Sequence, residues 1–451
     1  MSKIINTKPL IIHSALSLLL FISPLYASGD YSHRLGDVNS DNSIDIADIV
    51  YLFKNRNINI EDGDLNCDNS IDIADVVYLF KNYDKLRQPI HYATGIKLTY
   101  YDNSGNEVNP YNGDSWNYKI LEDSVGTKFL LKNSTESIPN WANGKYDKVL
   151  DIPLNKVVVM SSTHIALMEP LNDDGSVINS VKGIMWGESY TWYFDDINEG
   201  LNNGSIVDVG SSYAPNWDNI TAINPEVVIV CPGYSGDAII TKCNELGISV
   251  IANTEYLENT YLGRCEWVKL FAALYNKEDV ASKYFTKIEK RALNVKRLTK
   301  DETPVLVVWG QKSSWGTYVP KAQSYVAKAI MDDCNGDYIF EDLPGTGSAN
   351  IDYETFAERA KNADVWVIPS DINYLSSFKD NNVGYETFKA TQNGKIYCMD
   401  PSYWQLGLMN TDEVLMDLGT IIHPDAFKGR TTKYFLRYYP NNNTAVPYTA
   451  N

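Results

Sequence analysis

Several kinds of residue are scarce in this 451-residue chain, and each scarcity narrows the possible functions. The six cysteines form no Cys-x-x-Cys pair, and only five histidines are present, so a zinc-type cluster is not expected. Acidic residues outnumber basic ones by 57 to 39, which gives a formal net charge of −18. The chain therefore lacks the basic footprint that nucleic acid or an anionic membrane surface requires. The cysteines are either free thiols or joined in one or two disulfides.

The signature motifs of common enzymes are absent as well. The chain contains no Gly-x-Ser-x-Gly elbow, no His-Glu-x-x-His and no phosphate-binding loop. The pairs Asp195-Asp196 and Asp332-Asp333 are adjacent residues, whose carboxylates point in different directions and do not face each other across a sugar cleft. We therefore expect a protein that is not an enzyme, and a carbohydrate-active enzyme is the alternative.

Long apolar runs are missing except at the N-terminus. Lys3 and Lys8 precede an apolar run at residues 10–22, and small residues follow it up to Ser28. This order is typical of a secretory signal peptide, predicted at residues 1–28. The run is shorter than the ~20 apolar residues of a membrane span, although an uncleaved anchor is the alternative. Because no cysteine lies near the expected cleavage position, we expect no bacterial lipid anchor, and a secreted or cell-surface protein.

A nearly perfect internal repeat dominates the first hundred residues. Residues 39–55 and 66–82 are 17-residue copies with an offset of 27 residues, and they differ at only two positions. Such near-identity indicates two copies of one structural unit.

Each copy places oxygen-bearing residues at the spacing of a calcium-binding loop. Calcium takes about six to eight oxygen ligands, which a loop of about 12 residues supplies from alternate positions and from its last residue. The sharp turn within each loop falls on Asn42 or Asn69, a residue type that tolerates the left-handed conformation. The predicted ligands of two Ca²⁺ ions are Asp37, Asn39, Asp41, the Ser43 carbonyl, Asp45 and Asp48 in the first loop, and Asp64, Asn66, Asp68, the Ser70 carbonyl, Asp72 and Asp75 in the second.

An amphipathic helix is predicted after each loop. Its apolar residues recur at helical spacing, and we expect the two helices to pack on each other through these faces. The residues concerned are Ile46, Ile49, Val50 and Phe53 in the first copy and Ile73, Val76, Val77 and Phe80 in the second.

Two Asp-x-Asn-x-Asp loops that end in Asp, each followed by one helix, resemble a type I dockerin over residues 33–84. The resemblance implies a small all-α calcium-binding module whose partner is a cohesin on a scaffold or cell-surface protein. The positions that match the recognition pair of the family are Ile46-Ala47 and Ile73-Ala74. Because the copies are nearly identical, the resemblance also implies that cohesin can be bound in two orientations.

The remainder of the chain predicts an α/β fold. Residues 85–150 predict a linker and a leading β-hairpin, and later residues alternate buried-type strands with helical patterns, which favours parallel sheets. Residues 278–298 contain no Gly or Pro and predict a helix of about 30 Å that joins two lobes. We place lobe 1 at residues 151–255, the helical linker at 260–300, lobe 2 at 303–427 and a C-terminal tail at 428–451.

Three segments resemble the iron-siderophore and cobalamin class of ABC-transporter substrate-binding proteins. They are residues 211–230 (SSYAPNWDNITAINPEVVIV), 260–291 (TYLGRCEWVKLFAALYNKEDVASKYFTKIEKR) and 421–427 (IIHPDAF). The resemblance implies a class III periplasmic binding protein, in which two Rossmann-like lobes joined by a long helix deliver a metal chelate to an ABC permease. Asp218 and Glu354 match the carboxylates that dock on the permease, although lobe 1 of the family usually carries the longer Glu.

The loops at the carboxyl ends of the predicted strands, where open α/β lobes bind ligands, are rich in aromatic residues and contain no Arg. This composition favours a broad, weakly charged chelate, such as a corrinoid, haem or a neutral siderophore, over a highly anionic one. A surface adhesin with the same fold is a further alternative. The predicted ligand-binding residues are His164, Trp186, Tyr213, Tyr234, Trp309, Lys312, Trp315, Tyr403 and Trp404.

Overall fold

The computed structural model describes residues 33–233 and 235–451. The predicted signal peptide at residues 1–28 and the predicted ligand residue Tyr234 lie outside the described residues. Within the described ranges, no helix combines the length and the apolar character that crossing a membrane requires. All six cysteines are described, and each is a free thiol.

The N-terminal module, residues 33–86, consists of two loops and three helices. The helices are α1 (Ile46–Lys54), α2 (Ile60–Gly63) and α3 (Ile73–Leu86). Asp45 begins α1 by accepting a hydrogen bond from the Ala47 N–H at 2.6 Å, and Asp72 begins α3 in the same way. These carboxylates satisfy N–H groups that have no partner within the helix.

Most of the apolar face that the sequence predicts to lie between the two helices is exposed. Ile46 and Phe53 of α1 are 64% and 60% exposed, and their counterparts Ile73 and Phe80 of α3 are 55% and 68% exposed. The helices pack instead through the fully buried Leu52 and its counterpart Leu79. The predicted packing is therefore confirmed for Val76, which is buried, and for Ile49, which packs on the same core, and it is wrong for the outer residues of the two faces. Each helix is apolar on more than one side, so the spacing of its apolar residues does not identify the inner face.

Residues 97–152 form a five-stranded sheet, so the prediction of a linker with one hairpin is wrong for this stretch. The sheet order is β2-β1-β3-β4-β5, and only the β4–β5 pair is parallel. The buried strands β3 and β4 lack the alternation of apolar and polar residues that marks a half-exposed strand. The strands are β1 (Lys97–Tyr101), β2 (Glu107–Val108), β3 (Tyr118–Glu122), β4 (Lys128–Asn133) and β5 (Lys148–Ile152).

Lobe 1 is built on a parallel sheet with the order β10-β9-β6-β7-β8. Its inner strands are nearly continuous runs of Val and Ile, as expected where helices cover both faces of a sheet. The strands are β6 (Val157–Val159), β7 (Val181–Ile184), β8 (Val207–Asp208), β9 (Val227–Val230) and β10 (Val250–Ala252). The helices are α4 (Ser162–Met168), α5 (Ser176–Asn179), α6 (Asp195–Asn203), α7 (Trp217–Ile223) and α8 (Gly236–Glu245).

Three consecutive helices connect the lobes. They are α9 (Tyr261–Glu266), α10 (Val268–Tyr275) and α11 (Glu278–Thr299). The last of them has 22 residues, which corresponds to about 33 Å at the rise of an α-helix. The long helix expected at residues 278–298 is thus present.

Lobe 2 contains a six-stranded sheet with the order β14-β11-β16-β17-β18-β19 and a small antiparallel sheet with the order β12-β13-β15. The strands are β11 (Val305–Trp309), β12 (Gln311–Ser313), β13 (Gly316–Pro320), β14 (Gly336–Tyr338), β15 (Ser348–Ile351), β16 (Val365–Asp371), β17 (Ile396–Met399), β18 (Thr431–Tyr439) and β19 (Thr444–Thr449). The helices are α12 (Tyr325–Lys328), α13 (Tyr353–Ala360), α14 (Phe378–Asn381), α15 (Lys389–Gln392) and α16 (Thr411–Ile422).

The last residues of the chain are part of this sheet. Strands β18 and β19 pair antiparallel with each other, and β18 pairs antiparallel with β17. Residues 428–451 are therefore not the separate tail that the sequence predicts. The two strands form a hairpin. Their antiparallel pairing departs from the alternation of parallel strands and helices that the sequence predicts for this lobe, so that pattern does not predict them.

Two buried carboxylates fix the segment that joins the N-terminal module to the lobes. Glu266 accepts hydrogen bonds from the backbone N–H groups of His91, Tyr92 and Ala93, at 3.0, 2.6 and 2.8 Å. Glu258 accepts those of the next two residues, both at 2.9 Å. Charge-assisted hydrogen bonds of this kind are stronger than neutral ones, so this segment is anchored rather than free.

The carboxylate of Glu266 also contacts two basic side chains at this junction. Lys269 Nζ lies 2.7 Å from its carboxylate, and the His91 ring lies 3.3 Å away. Burial alone would raise the pKa of Glu266, but these neighbours and the N–H groups lower it to about 2. The carboxylate is therefore ionised while fully buried.

We expect Glu266→Gln to lower the free energy of unfolding by about 3 kcal/mol, because it leaves the buried Lys269 ammonium without its partner. Urea denaturation followed by tryptophan fluorescence measures the change. Glu199→Gln on the exposed side of α6 is the matched control, and we expect it to change stability by less than about 0.5 kcal/mol. Equal stabilities of the two variants would contradict this account.

The contribution of Glu266 has a defined pH dependence. A carboxylate whose pKa is lowered in the folded state stabilises the fold above its ordinary pKa, and that stabilisation is lost as the pH falls toward the folded value. The ordinary value here is 4.5 and the folded value is about 2. The stability difference between the wild type and Glu266→Gln should therefore be constant above pH 5 and shrink between these two values.

Candidate functional site

Exposed aromatic side chains surround the carboxyl ends of the parallel strands in both lobes. Trp186 and Tyr213 follow β7 and β8 of lobe 1, and Trp404 follows β17 of lobe 2. Ligands of open α/β sheets bind at these ends. We call the following exposed residues the aromatic rim: Trp186, Tyr193, Tyr213, Trp315, Tyr318, Tyr374 and Trp404.

The two lobes contact each other beside the aromatic rim. Gln405 of lobe 2 accepts a hydrogen bond from the Tyr193 N–H at 2.9 Å and donates one to the Thr191 carbonyl at 2.7 Å. Both partners belong to the loop between β7 and α6 of lobe 1. The Gln405 side chain is buried in this contact.

A buried contact joins the linker helix α9 to lobe 2. The Tyr261 hydroxyl of α9 is 2.7 Å from the Tyr403 hydroxyl of lobe 2. The Arg264 guanidinium pairs with Glu255 at 3.1 Å and lies 4.2 Å from the centre of the Tyr325 ring. This buried network joins α9 to both lobes.

Trp186 has a strained backbone. Its φ of 57° lies in the left-handed region, which costs a bulky residue about 1–2 kcal/mol. The Trp186 N–H bonds to the Gly210 carbonyl at 2.8 Å, and the Trp186 carbonyl accepts the Tyr190 N–H at 3.1 Å. These bonds hold the indole beside the Tyr190 ring, at 6.2 Å between ring centres. Strain of this kind is concentrated at ligand sites.

The rim of lobe 2 includes a hairpin. Trp315 stands at the tip of the β12–β13 turn and is 84% exposed. Lys312 is held through its backbone, since its N–H and carbonyl both bond to the Asn382 side chain, at 2.9 and 3.2 Å. Its ammonium lies 5.1 Å from the centre of the Tyr353 ring. The hairpin therefore presents one indole and one cation.

Three predicted ligand residues do not belong to the exposed rim, because their side chains are buried. His164 lies in α4 with its Nε2 at 3.5 Å from Cys231 Sγ, and burial lowers its pKa to about 3. Trp309 packs edge-on against Phe435 at 5.7 Å. Tyr403 is engaged in the contact with α9. In each case the aromatic side chain fills the core at the end of a strand, which sequence cannot distinguish from a position in the cleft wall.

Four members of the site are absent from the nine predicted ligand residues, namely Tyr193, Tyr318, Tyr374 and Gln405. Tyr193 lies in a run of aromatic residues, of which Trp192 and Phe194 are buried, and the run itself does not show which member is exposed. Gln405 is neutral and carries no recognisable motif. In the sequence, only its position next to the predicted ligand residue Trp404 indicates that Gln405 belongs to the site.

The predicted permease-docking carboxylates occupy equivalent positions in the two lobes. Asp218 and Glu354 are the second residues of α7 and α13, after the capping residues Asn216 and Asp352. Both carboxylates are exposed, and neither forms an ion pair within the described part of the chain. An acid in this position also stabilises the helix through its dipole.

The two predicted calcium loops have the same internal hydrogen bonds. In the first loop, the Asp37 carboxylate accepts the N–H groups of Asp41 and Asn42 at 3.1 and 3.0 Å. Asp48 accepts the Val38 N–H at 2.9 Å and the Asp45 N–H at 2.8 Å. The second loop repeats this pattern through Asp64 and Asp75, with Leu65 and Asp72 in the places of Val38 and Asp45. The turns at Ser40, Asn42, Cys67 and Asn69 have φ values of 62° to 68°.

The first and last acids of each loop are buried. Burial raises the pKa of Asp48 to about 6 and raises those of Asp37 and Asp75. A bound cation would offset this desolvation, and the oxygen donors are of the type that calcium prefers. In the ranges that the structure describes, no three His, Cys, Asp or Glu side chains are arranged to hold a metal ion. Asp48 and Asp75 are turned toward backbone N–H groups. The other eight predicted ligands are partly or fully exposed, namely Asn39, Asp41, Ser43, Asp45, Asn66, Asp68, Ser70 and Asp72.

The predicted recognition residues of the module are accessible. Ala47 and Ala74 are exposed next to Ile46 and Ile73, at the first turns of α1 and α3. Val50 and Val77 extend the same two apolar faces. The module thus presents two equivalent exposed apolar patches.

Comparison with known proteins places this site in a family. Residues 186–403 match the family described as "Periplasmic binding protein". The "Uncharacterized lipoprotein MJ0878" of Methanocaldococcus jannaschii is 62% identical over 364 residues, which cover 80% of this chain and 88% of that protein. The "Uncharacterized lipoprotein MJ0872" of the same organism is 29% identical, with coverage of 71% and 82%.

Solved structures with a similar fold include a Fe³⁺-hydroxamate transport protein from Saccharomonospora viridis, with 16% identity and a TM-score of 0.48. It covers 60% of this chain and 94% of its own. The vitamin B12 binding protein BtuF of Vibrio cholerae has 12% identity, a TM-score of 0.47, and coverage of 61% and 99%.

We expect Gln405→Leu to release the contact beside the rim. The Tyr193 N–H would lose its acceptor, and a buried donor without a partner costs about 1–3 kcal/mol. Amide hydrogen exchange of a peptide covering residues 190–196, read by mass spectrometry, should become roughly tenfold faster. Gln392→Leu, at an exposed position at the end of α15, is the matched control and should leave this exchange unchanged. Equal rates in both variants would show that the lobes do not meet through Gln405.

Proposed function

Because the chain belongs to one family with the lipoprotein MJ0878 and carries a periplasmic binding protein domain, we propose that it is a substrate-binding protein of ABC-type import. The observation that carries this proposal is the aromatic rim, which both lobes contribute at the carboxyl ends of their sheets. Such proteins bind their cargo and do not transform it, so the family favours a binder over a carbohydrate-active enzyme.

The composition of the aromatic rim supports a broad, weakly charged cargo. Its members are tryptophans and tyrosines, and Lys312 is the cation on the neighbouring hairpin. Aromatic walls bury flat apolar surface, whereas a multiply charged anion would call for a cluster of arginines. We propose a metal chelate of the haem, corrinoid or neutral siderophore type as the cargo. The exposed Asp218 and Glu354 would then meet basic residues of the permease.

The N-terminal module supports a second part of the proposal, in which this binder is held at the cell surface. Its two exposed apolar patches, around Ile46-Ala47 and Ile73-Ala74, lie where the dockerin resemblance places cohesin contacts. We propose that the two loops bind Ca²⁺ and that the patches bind a cohesin on a scaffold or surface protein. A secreted binder would thereby remain close to its permease.

The cargo proposal predicts that one chelate class stabilises the full chain. In a thermal-shift screen against ferric hydroxamates, haem and cobalamin, a ligand at a hundred times its Kd adds about 2.7 kcal/mol. Trp404→Ala and Trp315→Ala should weaken that ligand by roughly tenfold, because each removes a stacking surface. Tyr439→Ala is the control, since this exposed tyrosine lies at the opposite end of the lobe 2 sheet.

A flat response to all three chelate classes would contradict the cargo proposal and favour the adhesin. Equal losses in Tyr439→Ala and Trp404→Ala would show that the ligand binds away from the aromatic rim.

The tether proposal predicts a characteristic result for single and double variants. With two equivalent patches, Ile46→Asp or Ile73→Asp alone should retain binding to an immobilised type I cohesin panel, whereas the double variant should lose it. Val383→Asp, which changes an exposed residue of lobe 2, is the control. Calcium chelation should also abolish binding. Retention by the double variant, or in chelator, would contradict the tether.

A further inference from the structure

The two calcium loops are nearly identical in sequence and internally matched in structure, which makes each a control for the other. The Asp37 carboxylate accepts the Asp41 and Asn42 N–H groups at 3.1 and 3.0 Å. The Asp64 carboxylate accepts the corresponding N–H groups of Asp68 and Asn69 at 2.8 and 3.0 Å. Any difference in how the loops bind a cation must therefore come from their surroundings.

The surroundings of the second loop contain two cations from α11 and the residue after it. Arg297 Nε lies 2.9 Å from Asp64 Oδ2, and its Nη2 donates to the Asp64 carbonyl at 2.6 Å. Lys300 donates to the Asp68 carbonyl. The Asn69 side chain returns a hydrogen bond to the Arg297 carbonyl at 3.1 Å. Arg297 and Asp64 are both buried, so water screens this pair weakly.

The first loop has no such partner. His33 Nδ1 lies 3.6 Å from Asp37 Oδ2, and an imidazole is charged only when protonated. Within the described residues, no Lys or Arg side chain pairs with Asp37, Asp41, Asp45 or Asp48. The first loop therefore keeps its full negative charge for a metal ion, and the second loop does not.

We propose that the two loops are unequal: the first is the calcium site of high affinity, and Arg297 and Lys300 supply the second with a counter-charge that makes it a docking element on α11. This inference rests on the calcium part of the proposed function. A divalent ion in the second loop meets a buried guanidinium that already pairs with its first ligand residue, and like charges at short range in a weakly screened site oppose binding strongly. A difference in preorganisation does not reverse this ranking of the two calcium affinities, because the same internal hydrogen bonds hold both loops.

The same contact couples calcium to the position of the module. If the ion and Arg297 compete for the second loop, filling that loop must weaken docking on α11 to the same extent that docking weakens the ion. Calcium at the first loop leaves the docked arrangement in place. Only at high calcium concentration does the module loosen from the helix.

The test is a calorimetric titration of the full chain with CaCl₂ at pH 8. The wild type should show two sites whose affinities differ by at least about tenfold, which is 1.4 kcal/mol. Asp37→Asn with Asp41→Asn should remove the tight site, and Asp64→Asn with Asp68→Asn should remove the weak one. Arg297→Met should strengthen the weak site about tenfold, and the exposed Lys296→Met is its matched control.

The possible results of the titration distinguish a failure of this inference from a failure of the proposed function on which it rests. No calcium binding at either loop would overturn both. Two sites of equal affinity in the wild type, or an unchanged weak site in Arg297→Met, would overturn the inference and leave calcium binding intact. If Arg297→Met fails to fold by circular dichroism, Lys300→Met provides the same reading with a smaller increase. Hydrogen exchange in α11 that rises only at high calcium would support the coupling, and exchange unaffected by calcium at every concentration would contradict it.

Discussion

The helix α11 is the constraint on which the other parts of the structure depend. It contains no Gly or Pro, and each of its sides contacts a different part of the chain. Arg291 pairs with Asp412 of lobe 2 at 2.9 Å, and Lys290 pairs with Asp62 of the N-terminal module at 2.6 Å. Phe285 lies in the core shared with α10. Because this stiff helix contacts lobe 2, the N-terminal module and α10, it holds these parts of the chain together as one body.

This arrangement relates the candidate binding site to the N-terminal module, which is the proposed tether. The lobes meet through Gln405, and α9 meets lobe 2 through the Tyr261–Tyr403 pair, so the two lobes are held to each other and to the linker. The module meets the other side of α11, and Glu266 and Glu258 hold the segment between them. A partner bound to the module would therefore hold the rim in a set orientation, which a flexible linker could not do.

Sequence predicted those elements whose pattern is local. The 27-residue repeat, the long helix and the strands of lobe 1 follow from spacing and composition. It missed features that depend on distant partners: the five-stranded sheet after residue 96, the pairing of β18 with β17, and the outward direction of Ile46 and Phe53. Of the predicted ligand residues, Trp186, Tyr213, Trp315 and Trp404 are exposed and lie in the aromatic rim. The burial of His164 and Trp309 depends on packing that one sequence does not show.

The central claim is that the module and both lobes form one body around α11. Small-angle X-ray scattering of residues 33–451 at low calcium tests it most directly. We predict a radius of gyration of roughly 22 Å, the value for a single compact body of this length, and a pair-distance distribution with one maximum. A clearly larger radius with a second, calcium-independent maximum would show a module that moves separately, and would contradict the account.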